Sequence, residues 1–286
     1  MNKILYAYVN IEHPMVAWEV AIGRIKSICD GQDSNFGVSL WFYSLMQKYI
    51  KSPNSKRVVN EFKLEKIRQI HFPNQVSRLR GVYFFESMEM ANVALDRWGL
   101  SHHKKYVTEI YFSGNNYSYV DSEWITDYLD SDDEEWMHKY WLGETLGVKP
   151  LTEVLASGIG IIQDNELRIK AYEKIISQWP TTSILLNACM AGFTERKMEQ
   201  IGQAIPAIVN ESGILKGKYY INMYDFDNRE KEIVEAVEEA RRKGMNLPWI
   251  APDDPTKIFS LCDWSHLNFE LVNTDAVATF DRVHEA

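Results

Sequence analysis

The chain has 286 residues and a mass of 33.3 kDa, enough for about two domains at roughly 150 residues each. Hydrophobic residues make up 45% and charged residues 25%, ordinary globular usage that excludes a disordered chain, a collagen and a coiled-coil rod. The formal charge of -9 excludes generic polyanion binding by the molecule as a whole. No apolar run reaches the ~18 residues of a membrane-spanning helix. Three cysteines, Cys29, Cys189 and Cys262, are odd in number and far apart, which argues against a disulfide framework or a Cys-rich zinc site. Polar Asn10, Glu12 and His13 follow the first residues too closely for a signal peptide, so a reduced, cytoplasmic protein is expected. Aromatics reach 13%, with nine Trp and fifteen Tyr. Most are expected in the core, and the rest can stack on a flat ligand.

Residues 3–9 alternate and read as a strand. Residues 15–28, with Val16, Val20, Ile22 and Ile25 recurring, read as a helix. A loop at 31–35 leads to an apolar, aromatic helix at 40–49, which the Ser-Pro-Asn-Ser run at 52–55 breaks. A third helix spans 58–70 and stops at Phe72-Pro73-Asn74. Residues 81–85, Gly-Val-Tyr-Phe-Phe, form a short buried strand. Ser87 caps the next helix, which runs to Trp98 and ends at Gly99. A strand at 106–112 is closed by a turn at 113–116. Helical pieces at 122–129 and 134–142 precede strands at 151–155 and 158–163, joined by a Ser-Gly turn. Beyond residue 164, helices are expected at 165–179, 194–209 and 227–243, with strands at 218–224 and 268–272. Asp227 or Asn228 is the expected cap of the last helix. The change of character sets a boundary between a domain at 1–163 and a mainly helical extension at 164–286.

Charge is unevenly placed. Residues 48–105 hold twelve Lys/Arg against five Asp/Glu, and residues 121–135 hold eight acidic residues and no basic one. The two stretches read either as solvated faces or as a basic cleft beside an acidic flap.

The densest chemical signal lies at 67–87. Arg78 and Arg80 sit just ahead of the strand at 81–85, and a helix follows it. An Arg fork suits bidentate phosphate binding, and strand aromatics offer a stacking face. No GxGxxG and no GxxxxGK[ST] occurs, which disfavours a Rossmann or P-loop site. Glu153 stands alone in the apolar run Leu151-Thr152-Glu153-Val154-Leu155. It is either a strand-edge residue or a rigidly held catalytic carboxylate. His71, beside the arginines, reads as a structural hydrogen-bonder ahead of a catalytic group. The pair His102-His103 reads as solvent-facing rather than metal-binding, and no metal is expected. Trp98, Trp124, Trp136 and Trp141 read as core or lid aromatics first and ligand stackers second.

In the order Arg before a first core strand, aromatic strand and helix, Trp-containing loop, then Glu on a late strand, the chain resembles the NAD-dependent ADP-ribosyltransferases of bacterial toxin and phage-defence type. The stretches IRQIHFPNQVSRLRGVYFFESMEMANVAL, YVDSEWI and YWLGE…PLTEVLASG carry the resemblance, over about residues 58–163. It implies an α+β fold, an ADP-ribosyltransferase-like mixed β core with helices. It implies NAD as substrate, with Arg78 or Arg80 on its phosphates or ribose and Tyr83 and Phe84 walling the nicotinamide. His71 would stand with these ligand-binding residues. Glu153 would then hold the ribose 2′-OH and face the oxocarbenium-like centre. No Ser-Thr-Ser-like motif is present, and Leu151 stands where transferases acting on protein arginine carry a second Glu. That departure points to a nucleic-acid acceptor, and equally allows an inactive relative. A toxic transferase implies a neutralising antitoxin protein. The alternatives are a non-catalytic nucleic-acid or partner-binding module and an NAD glycohydrolase. In the extension, Trp249 beside Pro252 and Pro255 is the candidate recognition loop.

Overall fold

A computed structural model of the chain describes residues 2–28, 36–51, 56–245, 248–251, 253–254 and 260–284. Cys29, the loop at 31–35, the break at 52–55, Pro252 and Pro255 lie outside the described residues. The elements, in order, are β1 (Asn2–Tyr8), α1 (Pro14–Ile22), β2 (Arg24–Lys26), β3 (Phe36–Gly37), α2 (Leu40–Ile50), α3 (Arg57–His71), β4 (Val82–Phe84) and α4 (Met88–Arg97). There follow β5 (Val107–Asp121), α5 (Glu123–Tyr128), α6 (Glu135–Leu142), β6 (Thr152–Ile162), α7 (Asn165–Gln178) and α8 (Ser183–Arg196). The last are β7 (Ala204–Glu211), β8 (Ile214–Ile221), α9 (Tyr224–Asn228), α10 (Glu230–Arg242), β9 (Phe269–Leu271) and α11 (Thr274–His284).

The fold is α+β with two antiparallel sheets. In the first, strands run β1-β5-β6-β2, and β4 also pairs with β6. β6 is the hub. β5 lies along one side of it, while β4 pairs with residues 154–156 and β2 with 159–161 on the other. Its largely apolar sequence, TEVLASGIGII, is buried at 153–156, 160 and 162. The second sheet runs β3-β7-β8-β9.

Several expected elements differ from those observed. The turns expected at 113–116 and 157–158 are not turns. Gly114 and Gly158 face each other inside the continuous strands β5 and β6, where the register slips at a bulge. Gly158 has φ +143, and a Cβ there would stand 2.2 Å from the Ser113 carbonyl oxygen, so no other residue fits. The helix expected at 15–28 ends at Ile22, because Gly23 takes φ +97 and caps it; β2 follows. The helix expected at 194–209 is instead the end of α8 and the strand β7. Lys197 (φ 51) and Gly202 (φ 57) turn the chain between them. The helix expected at 227–243 is split into α9 and α10, and neither Asp227 nor Asn228 caps α10. Among the described residues, the region after 164 therefore contributes three strands as well as helices.

The packing crosses residue 164. β3 pairs with β7, and the hydrophobic core is continuous from Leu5 to Val283. Trp18 of α1 is fully buried, donates its indole N–H to the Gly202 carbonyl at 2.7 Å and meets Trp264 edge-on at 5.9 Å. Arg24 donates to the Glu199 and Ile201 carbonyls at 3.1 and 3.0 Å, while its counter-ion Glu19 accepts from the Ala204 N–H at 2.8 Å. A chain ending at residue 163 would expose this face of α1 and leave a buried ion pair half satisfied. It is expected to lose cooperative unfolding in a thermal scan; a retained sigmoidal transition would show that residues 1–163 fold alone.

Candidate functional site

β4, β6 and α2 frame a cavity of about 620 Å³, within the ~300–1,000 Å³ that encloses a small ligand. One end is aromatic. Trp41 lies between Tyr83, at 5.2 Å, and Trp98, at 6.4 Å, with Tyr8 edge-on at 6.1 Å. Lys48 of α2 lines the rim, exposed, and no carboxylate stands within ion-pair distance of it among the described residues.

The polar wall is assembled by pairing. Glu153 on β6 lies opposite Val120 of β5, and Tyr83 on β4 lies opposite Leu155. Side chains alternate along a strand, so Glu153, Leu155 and Tyr83 share one face. Arg78, just ahead of β4, comes to within 4.0 Å of Glu153 through Nη1. Its Nε and Nη2 donate to the two Glu61 oxygens at 3.0 Å each, and Nη1 donates to the Tyr140 hydroxyl at 2.9 Å. Tyr83 donates its hydroxyl proton to the Arg78 carbonyl at 2.7 Å. All five side chains are buried.

Burial pushes the Glu153 carboxyl up to about 7; Arg78 holds it down in part, and Glu61, Asp121 and Glu123 add to the rise. Burial likewise raises the Tyr83 and Tyr140 hydroxyls, so both stay neutral. A carboxyl perturbed by desolvation and one specific cation, on a cavity wall, is a candidate catalytic group.

Of the six residues singled out from sequence, Glu153, Arg78 and Tyr83 line this cavity, and Arg80, Phe84 and His71 do not. The Arg80 guanidinium lies over the Phe36 ring, 4.4 Å from its centre. Phe84 is fully buried against Phe112, ring centres 4.8 Å apart. His71 is the exposed last residue of α3, its ring 5.2 Å from that of His138. Among the residues missed were Glu61, Tyr140, Trp41 and Lys48. Trp98 lines the cavity, whereas Trp124, Trp136 and Trp141 are core. Burial pushes the Cys189 thiol up and that of Cys262 to about 12, so neither is a poised nucleophile. Among the described residues no three His, Cys, Asp or Glu gather as metal ligands. No helix among them is long and apolar enough to cross a membrane.

The basic and acidic stretches pair with each other, and Arg57, Arg97 and Asp130 among them line the cavity. Arg57 pairs with Asp130 and Lys63 with Glu134, both at 2.6 Å; Lys56 pairs with Asp132, and Arg97 with Glu123 at 2.7 Å. Ser122, Ile125, Thr126 and Asp130 line the cavity. The acidic stretch is thus a strap across one wall, and it neutralises the cations beneath it. Exposed pairs contribute little individually. The firmer anchor is buried Asn60, whose amide donates to the Leu129 and Ser131 carbonyls at 2.8 and 2.9 Å. Asn60→Ala removes both donors and is expected to cost about 1–3 kcal/mol. Amide exchange over 129–134 should quicken more than in β5 and β6. Equal exchange in the variant would detach the strap from α3.

A family model described as a protein of unknown function, DUF2441, matches residues 31–166. That span covers α2 to β6 and holds Trp41, Glu61, Arg78, Tyr83, Tyr140 and Glu153. No curated protein and no solved structure matches the chain.

Proposed function

We propose that the cavity binds NAD and that Glu153 promotes cleavage of its nicotinamide glycosidic bond, the ADP-ribose passing to a macromolecular acceptor, nucleic acid, in a toxin or antiphage role. The observation that supports this most is the convergence of Glu153, Tyr83 and Arg78 on one wall of an aromatic-lined cavity. In this reading the bond between ribose C1′ and the ring nitrogen breaks. Its electron pair goes to the nitrogen and neutralises the pyridinium. Positive charge develops at C1′, and ionised Glu153 faces it while accepting from the 2′-OH. An acceptor nitrogen or oxygen then attacks C1′ and loses its proton to solvent. The leaving group is already cationic, so no general acid is required.

Because Glu61 and Tyr140 hold the Arg78 fork, the phosphate role passes to Lys48 at the rim. The Tyr8, Trp41, Tyr83 and Trp98 faces would take the flat ring. A neutralising partner protein and a cytoplasmic site of action belong to the same reading.

The occupied Arg78 fork also favours a second reading, a module that binds without catalysis. Incubation with NAD alone, with RNA and with DNA, followed by assay of free nicotinamide, separates the possibilities. Release that requires nucleic acid supports transfer. Release without acceptor reassigns the site to an NAD glycohydrolase, and no release in any mixture leaves the binding module.

A further inference from the structure

Among the described residues no hydrogen bond from the protein reaches the Glu153 carboxylate. Its nearest cation is the Arg78 Nη1 at 4.0 Å, beyond hydrogen-bond length. An Arg and a carboxylate this near each other ordinarily close to ~2.7–2.9 Å. The competing contacts explain the gap. Glu61 takes Nε and Nη2, and Tyr140 takes Nη1. The Tyr83 and Tyr140 rings flank the guanidinium, 5.2 and 5.5 Å from it. Tyr83 also fixes the Arg78 backbone through its carbonyl.

We propose that Glu61 and Tyr140 are positioning residues that hold Arg78 beyond hydrogen-bond distance of Glu153, so that the cavity carboxyl is only partly neutralised and is completed by a cationic ligand. This rests on the reading of Glu153 as the working carboxylate of an NAD site. The oxidised pyridinium ring supplies the missing charge, and the neutral dihydro form does not. The charged and titratable groups that act on Glu153 electrostatically agree with this. They include Glu61 on α3, Arg78 before β4, Tyr83 on β4, Asp121 at the end of β5, Glu123 on α5 and Tyr140 on α6. Arg78 is the one cation among them, and Glu61 already claims it.

The test is a carbon-13 titration of glutamate carboxyls in the unliganded protein, with Glu153→Gln identifying the Glu153 signal. In the wild type the midpoint is expected near 7. Tyr140→Phe returns Nη1 to Glu153, and the midpoint should fall by about 1–3 pH units. Glu61→Gln should move it the same way. An unmoved midpoint in either folded variant overturns the proposal. A wild-type midpoint at or below the ordinary 4.5 overturns it without any variant. Expected titrations with no NAD cleavage would remove the catalytic reading and leave the positioning intact. Cleavage with unmoved titrations would remove the positioning alone.

Discussion

Glu153→Gln is expected to lower nicotinamide release by about 10²–10³-fold while the chain stays folded. Gln keeps the volume and removes the charge that would face the oxocarbenium centre. The same substitution carries a stability signature of known sign. The carboxyl sits at about 7 in the folded protein against an ordinary 4.5. Between those values the folded state holds a proton that the unfolded state has released. Stability therefore falls as pH rises from about 4.5 to about 7, by about 3 kcal/mol in all, and is flat on either side. Gln carries no such penalty. The variant should gain on the wild type in urea unfolding at pH 8 and show no such gain at pH 4. Wild-type kcat/KM should rise with pH through about 7 as Glu153 ionises. Full release by the Gln variant would remove Glu153 from catalysis.

Half of the site was legible in the sequence. Glu153 betrayed itself as the one carboxylate in an apolar β run, and Tyr83 as an aromatic on a short buried strand. Glu61 gave no such signal. A Glu on an amphipathic helix reads as solvated until a distant Arg is brought onto it, and only the tertiary fold does that. Tyr140 and Trp41 hid among the many aromatics for the same reason. The fold misreadings arise where one local pattern serves two structures. Gly114, Asn115 and Asn116, and Ser157 with Gly158, have turn chemistry, but a paired bulge uses the same residues. The apolar spacing of Met198, Ile201 and Ala204 imitates a helix, whereas Gly202 and Pro206 were the signals that a turn and then a strand follow.

Arg78→Met is expected to cost about 3–5 kcal/mol of stability, because it leaves Glu61 buried, charged and unpaired. The effect should exceed any change in NAD affinity, since the Arg78 donors point inward to Glu61 and Tyr140. Adding Glu61→Leu removes the stranded charge, and the double variant should recover most of the loss. Urea unfolding of the two single variants and the double variant gives the coupling directly. A cost below about 1 kcal/mol for Arg78→Met would show that the buried pair does not hold this wall together.

The central claim, that this cavity is an NAD site, is tested most directly by calorimetric titration with an uncleavable analogue. In that analogue a methylene replaces the ring oxygen of the nicotinamide ribose and the pyridinium charge is kept. One saturable site is expected in the wild type, weakened at least about tenfold in Trp41→Ala through loss of the stacking face. No saturable heat, or equal affinity in the two proteins, would contradict the account.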